Sequence, residues 1–162
     1  MKLISFVFVI AVSFPSAALG QGTTTPAPEF YDVKYDTTAD PYAQLNAAKA
    51  DATTSGRRIL LDVGGEWCSW CHRLDGFFRK DPDLADLLKK NYVALKVNFS
   101  PSKRNEKFLS QFPRISGYPH IFVLDAKGKL LHSQDTGLLE EGKGYSKQKM
   151  VAFLEQWGAK RK

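Results

Sequence analysis

The chain contains two cysteines, and they stand two residues apart in Trp67-Cys68-Ser69-Trp70-Cys71, directly after the apolar run Ile59–Val63 and the pair Gly64-Gly65. A bridge between them would close a very small loop and remove little entropy from the unfolded chain, so a structural staple is a poor explanation. A chemical one is better. A thiol reacts as its thiolate, and the unpaired N–H groups and dipole at a helix N-terminus favour that anion on the first sulfur of a Cys-x-x-Cys. The second sulfur falls one turn further in, near enough to close the disulfide and less exposed. Cys68 is therefore the candidate nucleophile and Cys71 the resolving thiol. This arrangement demands a buried strand that ends at the motif and a helix that begins there.

The rest of the chain supplies a matching frame. Asp40-Pro41 is an N-cap followed by proline at the first helical position, and Gly56 stops that helix. Ile59-Leu60-Leu61-Asp62-Val63 reads as a buried strand, and Leu74, Phe77 and Phe78 give the helix after the cysteines its apolar side. Asp81-Pro82 repeats the capping signature, and Asn91 closes the helix behind it. Tyr92–Phe99 is a second strong strand, followed by a polar helix expected over about 103–112. Ile121–Leu124 and Lys129–His132 flank Asp125-Ala126-Lys127-Gly128 as a β-hairpin. A Gly-rich loop, Asp135–Tyr145, precedes a last helix capped by Ser146, with Met150, Val151, Phe153, Leu154 and Trp157 on its core face. Helices alternating with strands, closed by a hairpin, predict an α/β fold whose central mixed sheet combines a parallel core with an antiparallel hairpin, flanked by helices.

The N-terminus reads differently. Lys2, the apolar run Leu3–Phe14 and the small residues before position 21 form the pattern of a secretory signal peptide over 1–20, cleaved after Gly20. The run is too short to span a bilayer, so no stable membrane insertion is expected after cleavage. Residues 21–39 read as a Thr/Pro-rich flexible leader that includes a short edge strand at Phe30–Tyr35, and residues 40–162 as one domain. Export places the protein in a bacterial periplasm or outside the cell. The formal net charge is +6, with Lys160-Arg161-Lys162 at the very end. No basic groove interleaved with aromatics accompanies it, so nucleic acid is not an expected partner.

The segment Ile59–Cys68 resembles the strand-to-active-site region of the thioredoxin superfamily, with an acidic residue six positions before the first cysteine and a tryptophan directly before it. Lys96-Val97-Asn98 resembles the end of the family's next strand, and Ile115-Ser116-Gly117-Tyr118-Pro119 the segment that carries its cis-proline. The resemblance runs from about Asp40 to Trp157. It is closest to exported thioredoxin-like proteins and to the thioredoxin-like domains of thiol:disulfide interchange proteins.

That resemblance implies a thioredoxin fold and a thiol–disulfide oxidoreductase. The Cys68–Cys71 disulfide would be its own redox centre, needing no cofactor. Its partners would be protein thiols and disulfides, with a membrane protein as electron donor if it works as a reductase. A monomer is expected. Pro119 would be cis beside the disulfide, with the backbone of Tyr118 pairing to an extended substrate segment. Asp62 would be a buried carboxylate behind Cys71 that accepts its proton, paired with and tuned by Lys96. Trp67 would pack beside the cysteines. Ser69-Trp70 replaces the glycine–proline of typical thioredoxins, and with Tyr118 would influence potential and partner choice. His72, His120 and Glu66 are candidate modulators: His72 helping to hold the Cys68 thiolate, His120 lining the pocket, Glu66 a solvated neighbour.

Two other chemistries share these residues. Cys68-Ser69-Trp70-Cys71-His72 also spells the C-x-x-C-H attachment motif of c-type haem, although the motif follows a buried strand in an α/β pattern rather than lying in a small helical cytochrome. Cys68, Cys71, His72 and His120 together could present soft ligands to Cu(I) or Zn(II).

Overall fold

A computed structural model describes residues Glu29–Lys160. The expected signal peptide and the first part of the leader, residues 21–28, lie outside the described residues. Among those described, no helix is long and apolar enough to cross a membrane.

The first helix, α1 (Pro41–Ser55), begins where Asp40 accepts a hydrogen bond from Tyr42 N at 2.9 Å and ends at Gly56, whose φ of 71° is left-handed. Strand β1 (Arg58–Gly64) follows, then α2 (Ser69–Lys80), α3 (Pro82–Asn91) and β2 (Tyr92–Asn98). A single turn, α4 (Glu106–Leu109), precedes the hairpin of β3 (His120–Leu124) and β4 (Leu130–Asp135). The chain ends with a 3-10 turn, Thr136–Leu139, a small ribbon of β5 (Glu140–Glu141) and β6 (Gly144–Tyr145), and α5 (Lys147–Trp157).

The main sheet has the order β2-β1-β3-β4, with β1 parallel to β2 and antiparallel to β3. β1 is thus central and covered on both faces, which is why its apolar run is continuous rather than alternating. Ile59, Leu61 and Val63 pack with Phe122, Leu124, Ala48 and Ala52 on one face. Leu60, Ile121 and Val123 pack on the other with Leu74, Phe78, Leu88, Met150 and Leu154. The result is the expected thioredoxin-like α/β fold, a mixed four-stranded sheet flanked by helices. Its central strand delivers the cysteine motif at its C-terminal end.

Four local expectations are corrected. Phe30–Tyr35 is not an edge strand: Phe30–Asp32 form a 3-10 turn, closed by Asp32 N to Glu29 O at 2.8 Å. The polar helix expected over 103–112 shrinks to α4, because Asn105 before it takes a left-handed conformation and Ser100 and Lys103 pair as a tight bridge. Asp135–Tyr145 is not irregular but carries the 3-10 turn and the ribbon. Ser146 occupies the N-cap position of α5, yet its side chain makes no capping hydrogen bond.

Candidate active site

β1 ends at Gly64, and the chain turns through Gly65, Glu66 and Trp67 so that Cys68 becomes the N-cap of α2. Cys68 N donates to Gly65 O at 2.9 Å, and Cys68 Sγ accepts from Cys71 N at 3.1 Å. The two sulfurs are joined as a disulfide, with the Cα atoms 5.2 Å apart. Cys68 retains 3% exposure and Cys71 none, so an approaching sulfur can reach the first cysteine only. Gly64 is needed here: a Cβ on it would lie 2.5 Å from Cys71 Sγ and 2.8 Å from the Tyr35 hydroxyl.

On the outer side, the Tyr118–Pro119 peptide bond is cis. Thr136 Oγ1 donates to Pro119 O at 2.5 Å, which fixes the carbonyl that follows the bend. Tyr118 stacks on Phe99 at 4.8 Å and meets Trp67 edge to face at 5.6 Å. Trp67 is 54% exposed and anchored by Nε1 donating to Phe99 O at 2.6 Å. Trp70 lies edge to face on Tyr145, with the Arg73 guanidinium 4.6 Å over its ring, while Ser69 is exposed at the first turn of α2.

Behind the cysteines is a buried polar cluster. Asp62, on β1, is fully buried; its Oδ2 accepts from the Tyr35 hydroxyl at 2.5 Å and its Oδ1 has no hydrogen-bond partner among the described residues. Burial pushes the Asp62 carboxyl up to about 7, against the Tyr35 hydrogen bond and the Lys96 charge, which draw it down, while Asp75 adds to the rise. The Lys96 ammonium stands 2.7 Å from both oxygens of Asp75 and 2.8 Å from Val33 O. Asp75 is also raised by burial, with the Lys96 hydrogen bond opposing.

The expected pairing of Asp62 with Lys96 is therefore corrected. The two are register neighbours on adjacent parallel strands, but Asp75 on α2 sits over the lysine and takes its ammonium. Lys96 acts on Asp62 through its charge alone. Glu66 is more than a solvated neighbour, since its Oε1 accepts from Tyr35 N at 2.9 Å. His72 is turned back to the loop, Nε2 lying 2.8 Å from Glu66 O. His120 is buried in β3 beside Phe122, Nε2 2.9 Å from Ser133 Oγ, on the sheet face opposite Asp62. It does not line the cysteine site. Burial holds its imidazole below the usual histidine range.

These positions bear on the alternatives. Among the described residues no group of three or more His, Cys, Asp or Glu could hold a metal ion, and His120 is separated from the cysteines by the sheet. Haem attachment needs both sulfurs free to form thioethers and His72 free as a ligand. Here the sulfurs are buried and bonded to each other, and His72 is engaged by the loop.

Four site residues escaped the sequence reading: Tyr35, Asp75, Thr136 and Tyr145. Asp75 carried a signal, a carboxylate at the buried spacing of Cys71, Leu74 and Phe78 on α2. Nothing local marked Tyr35, whose contacts lie 27 and 31 residues away.

A strand-end cysteine pair opposite a cis-proline, on this sheet order, defines a thioredoxin-like protein. The thioredoxin-like family model matches residues 40–126, and the chain belongs to that family. It is similar to the thiol:disulfide interchange protein DsbD of Citrobacter koseri, 29% identical over 106 residues that make up 65% of this chain and 18% of DsbD. It is also similar to the thiol:disulfide interchange protein TxlA homolog of Synechocystis, 36% identical over 89 residues, 53% of this chain and 45% of that protein. The chain thus spans less than half the length of these curated relatives. Among solved structures, a disulphide isomerase from Xylella fastidiosa Temecula1 superposes with a TM-score of 0.65 at 25% identity, covering 75% of this chain and 94% of the other. The oxidised C-terminal domain of Neisseria meningitidis DsbD shares the fold, with a TM-score of 0.55 at 17% identity, covering 77% and 99%.

Proposed function

We propose that the protein is an exported thiol–disulfide oxidoreductase that acts on protein substrates in the reducing or interchange direction. The observation that carries this reading is the asymmetry of the cysteine pair: Cys68 is the N-cap of α2 and keeps 3% exposure, while Cys71 is fully buried and meets, over Gly64, the Tyr35 hydroxyl that holds Asp62.

In the reduced protein, the Cys68 thiolate attacks one sulfur of a substrate disulfide, and the other substrate sulfur leaves as a thiolate that takes a proton from water. Cys71 then gives its proton to Asp62 and attacks Cys68 Sγ. The bond to substrate breaks, the second substrate sulfur leaves, and the Cys68–Cys71 disulfide forms. Two electrons have passed from the dithiol to the substrate. A carboxyl held near neutrality suits this work, because it is both available as a base and strong enough to take the proton. The Tyr118 backbone makes no hydrogen bond to another described backbone group and is available to an extended substrate strand. Trp67 and Tyr118 form the apolar rim against which that strand would lie, with Ser69 and Trp70 beside it. A reductase outside the cytoplasm draws its electrons from a membrane donor, a role consistent with the likeness to interchange proteins.

Insulin reduction under dithiothreitol tests the reading, with rapid turnover expected and loss on Cys68→Ser; equal rates would falsify it. Equilibration with glutathione tests direction: a potential near about −270 mV supports a reductase and one near about −120 mV an oxidant. Cell fractionation with N-terminal sequencing tests export, with a mature chain starting at Gln21 expected.

A further inference from the structure

We propose that Tyr35 is a positioning residue of the thiol–disulfide reaction, its hydroxyl occupying one oxygen of Asp62 so that the other alone receives the Cys71 proton. The inference rests on the reading of Asp62 as proton acceptor and goes beyond it. Tyr35 precedes the span matched by the family model, so the fold's shared features do not assign it a role.

The geometry is specific. Tyr35 is 3% exposed and packs in one buried cluster with Cys68 and Cys71. Its hydroxyl and Cys71 Sγ converge over the bare face of Gly64, both within 3 Å of the same point. That hydroxyl donates to Asp62 Oδ2, while Oδ1 is buried and without a partner. A phenol has one proton to donate, and here it is committed. Burial and the Asp62 charge push the Tyr35 pKa well up, so the hydroxyl remains a donor throughout the working range. The residue is also fixed along the chain. Its N–H is held by Glu66 Oε1, and two residues earlier Val33 O accepts from Lys96.

The groups that act on Asp62 come from four parts of the fold: Tyr35 itself, Lys96 from β2, Asp75 from α2 and Tyr145 from β6, and Cys71 Sγ meets the Tyr35 hydroxyl over Gly64. Lys96 and Tyr35 favour the carboxylate and Asp75 disfavours it. Tyr145, pushed up by burial, stays neutral. Among the described residues, only Tyr35 touches the carboxylate by a direct hydrogen bond. In the resolving step the Cys71 S–H proton goes to Asp62 Oδ1, the sulfur electron pair forms the bond to Cys68 Sγ, and the substrate sulfur leaves. Tyr35 neither gives nor takes a proton.

Tyr35→Phe keeps the ring and deletes the hydroxyl. In the oxidised full chain, the 13C titration of the Asp62 carboxyl is expected to move up by about one pH unit, the worth of a hydrogen bond to a charged group. The acid limb of the pH–rate profile for insulin reduction should move with it. Adding Tyr35→Phe to Asp62→Asn should change nothing further. If Asp62→Asn flattens the acid limb but Tyr35→Phe leaves both titration and limb in place, the role of Tyr35 is overturned and the base survives. A titration that moves without the limb also overturns it. If Asp62→Asn keeps the wild-type limb, the proton-acceptor reading itself falls, and the Tyr35 proposal with it.

Discussion

Asp75 has both oxygens on the Lys96 ammonium, whereas Asp62, on the strand beside that lysine, has one oxygen on a phenol and the other without a hydrogen-bond partner among the described residues. Both carboxyls are buried and both are raised by it, but the hydrogen bond that opposes the rise comes from an ammonium at Asp75 and from a phenol at Asp62. Asp75 is stabilised as an anion by a cation that would itself be orphaned without it. Asp62 is charged only at a cost, with a neutral donor as its direct partner. The difference separates a group that holds the structure from one that is able to exchange a proton. Under the proposed function, the second group is the one whose protonation the resolving step uses.

The strongest test of this contrast is the pH dependence of stability. In the oxidised protein Asp62 keeps its proton up to about 7, while an unfolded aspartate loses it near 3.8. Between those values the native state binds the extra proton, so stability falls as pH rises through that window and levels off above it, by at most about 4 kcal/mol. Asp62→Asn should flatten that fall and make the oxidised protein more stable at pH 8, as read by denaturant unfolding. Asp75→Ala should do the reverse, destabilising by about 3 kcal/mol because the buried Lys96 ammonium loses its paired carboxylate and keeps Val33 O and the Phe30 and Tyr35 rings. Two losses of similar size would break the comparison. Gly64→Ala comes next, at about 2 kcal/mol, because the new methyl meets Cys71 Sγ and the Tyr35 hydroxyl where nothing can yield cheaply. It should also slow insulin reduction. The smallest effect belongs to the exposed rim. Trp67→Phe removes the bond to Phe99 O and should cost less than about 1 kcal/mol, weakening turnover while leaving the pH–rate profile in place. A shifted profile there would show that the rim, and not the buried cluster, sets the response to pH.

The parts of the fold that were legible are those encoded within a few residues. Asp40-Pro41 and Asp81-Pro82 start their helices as capping chemistry requires, and the apolar run of β1 declared a strand covered on both faces. The Cys68–Cys71 disulfide and the cis bond before Pro119 lie where the resemblance placed them. What escaped depended on pairs distant in sequence. Lys96 had two carboxylates within reach, and only the packing of α2 over β2 decides for Asp75. His120 has a polar side chain on a strand end, but strand alternation sends it to the face away from the cysteines, a consequence of register that local reading did not follow. Phe30–Tyr35 alternates too weakly to name its structure, and its shape is set by what it touches.

That segment has a consequence for how such a protein can diverge. Arg79 holds Tyr31 O and Asp32, Lys89 holds Glu29, and Lys96 holds Val33 O, so the stretch is stitched to the domain along its length before it reaches Asp62. It lies ahead of the span that carries the family likeness. Descendants of one ancestor could therefore keep the sheet, the cysteines and the proline unchanged while adjusting their acidity by replacing a few residues just ahead of α1, much as an instrument is retuned without being rebuilt.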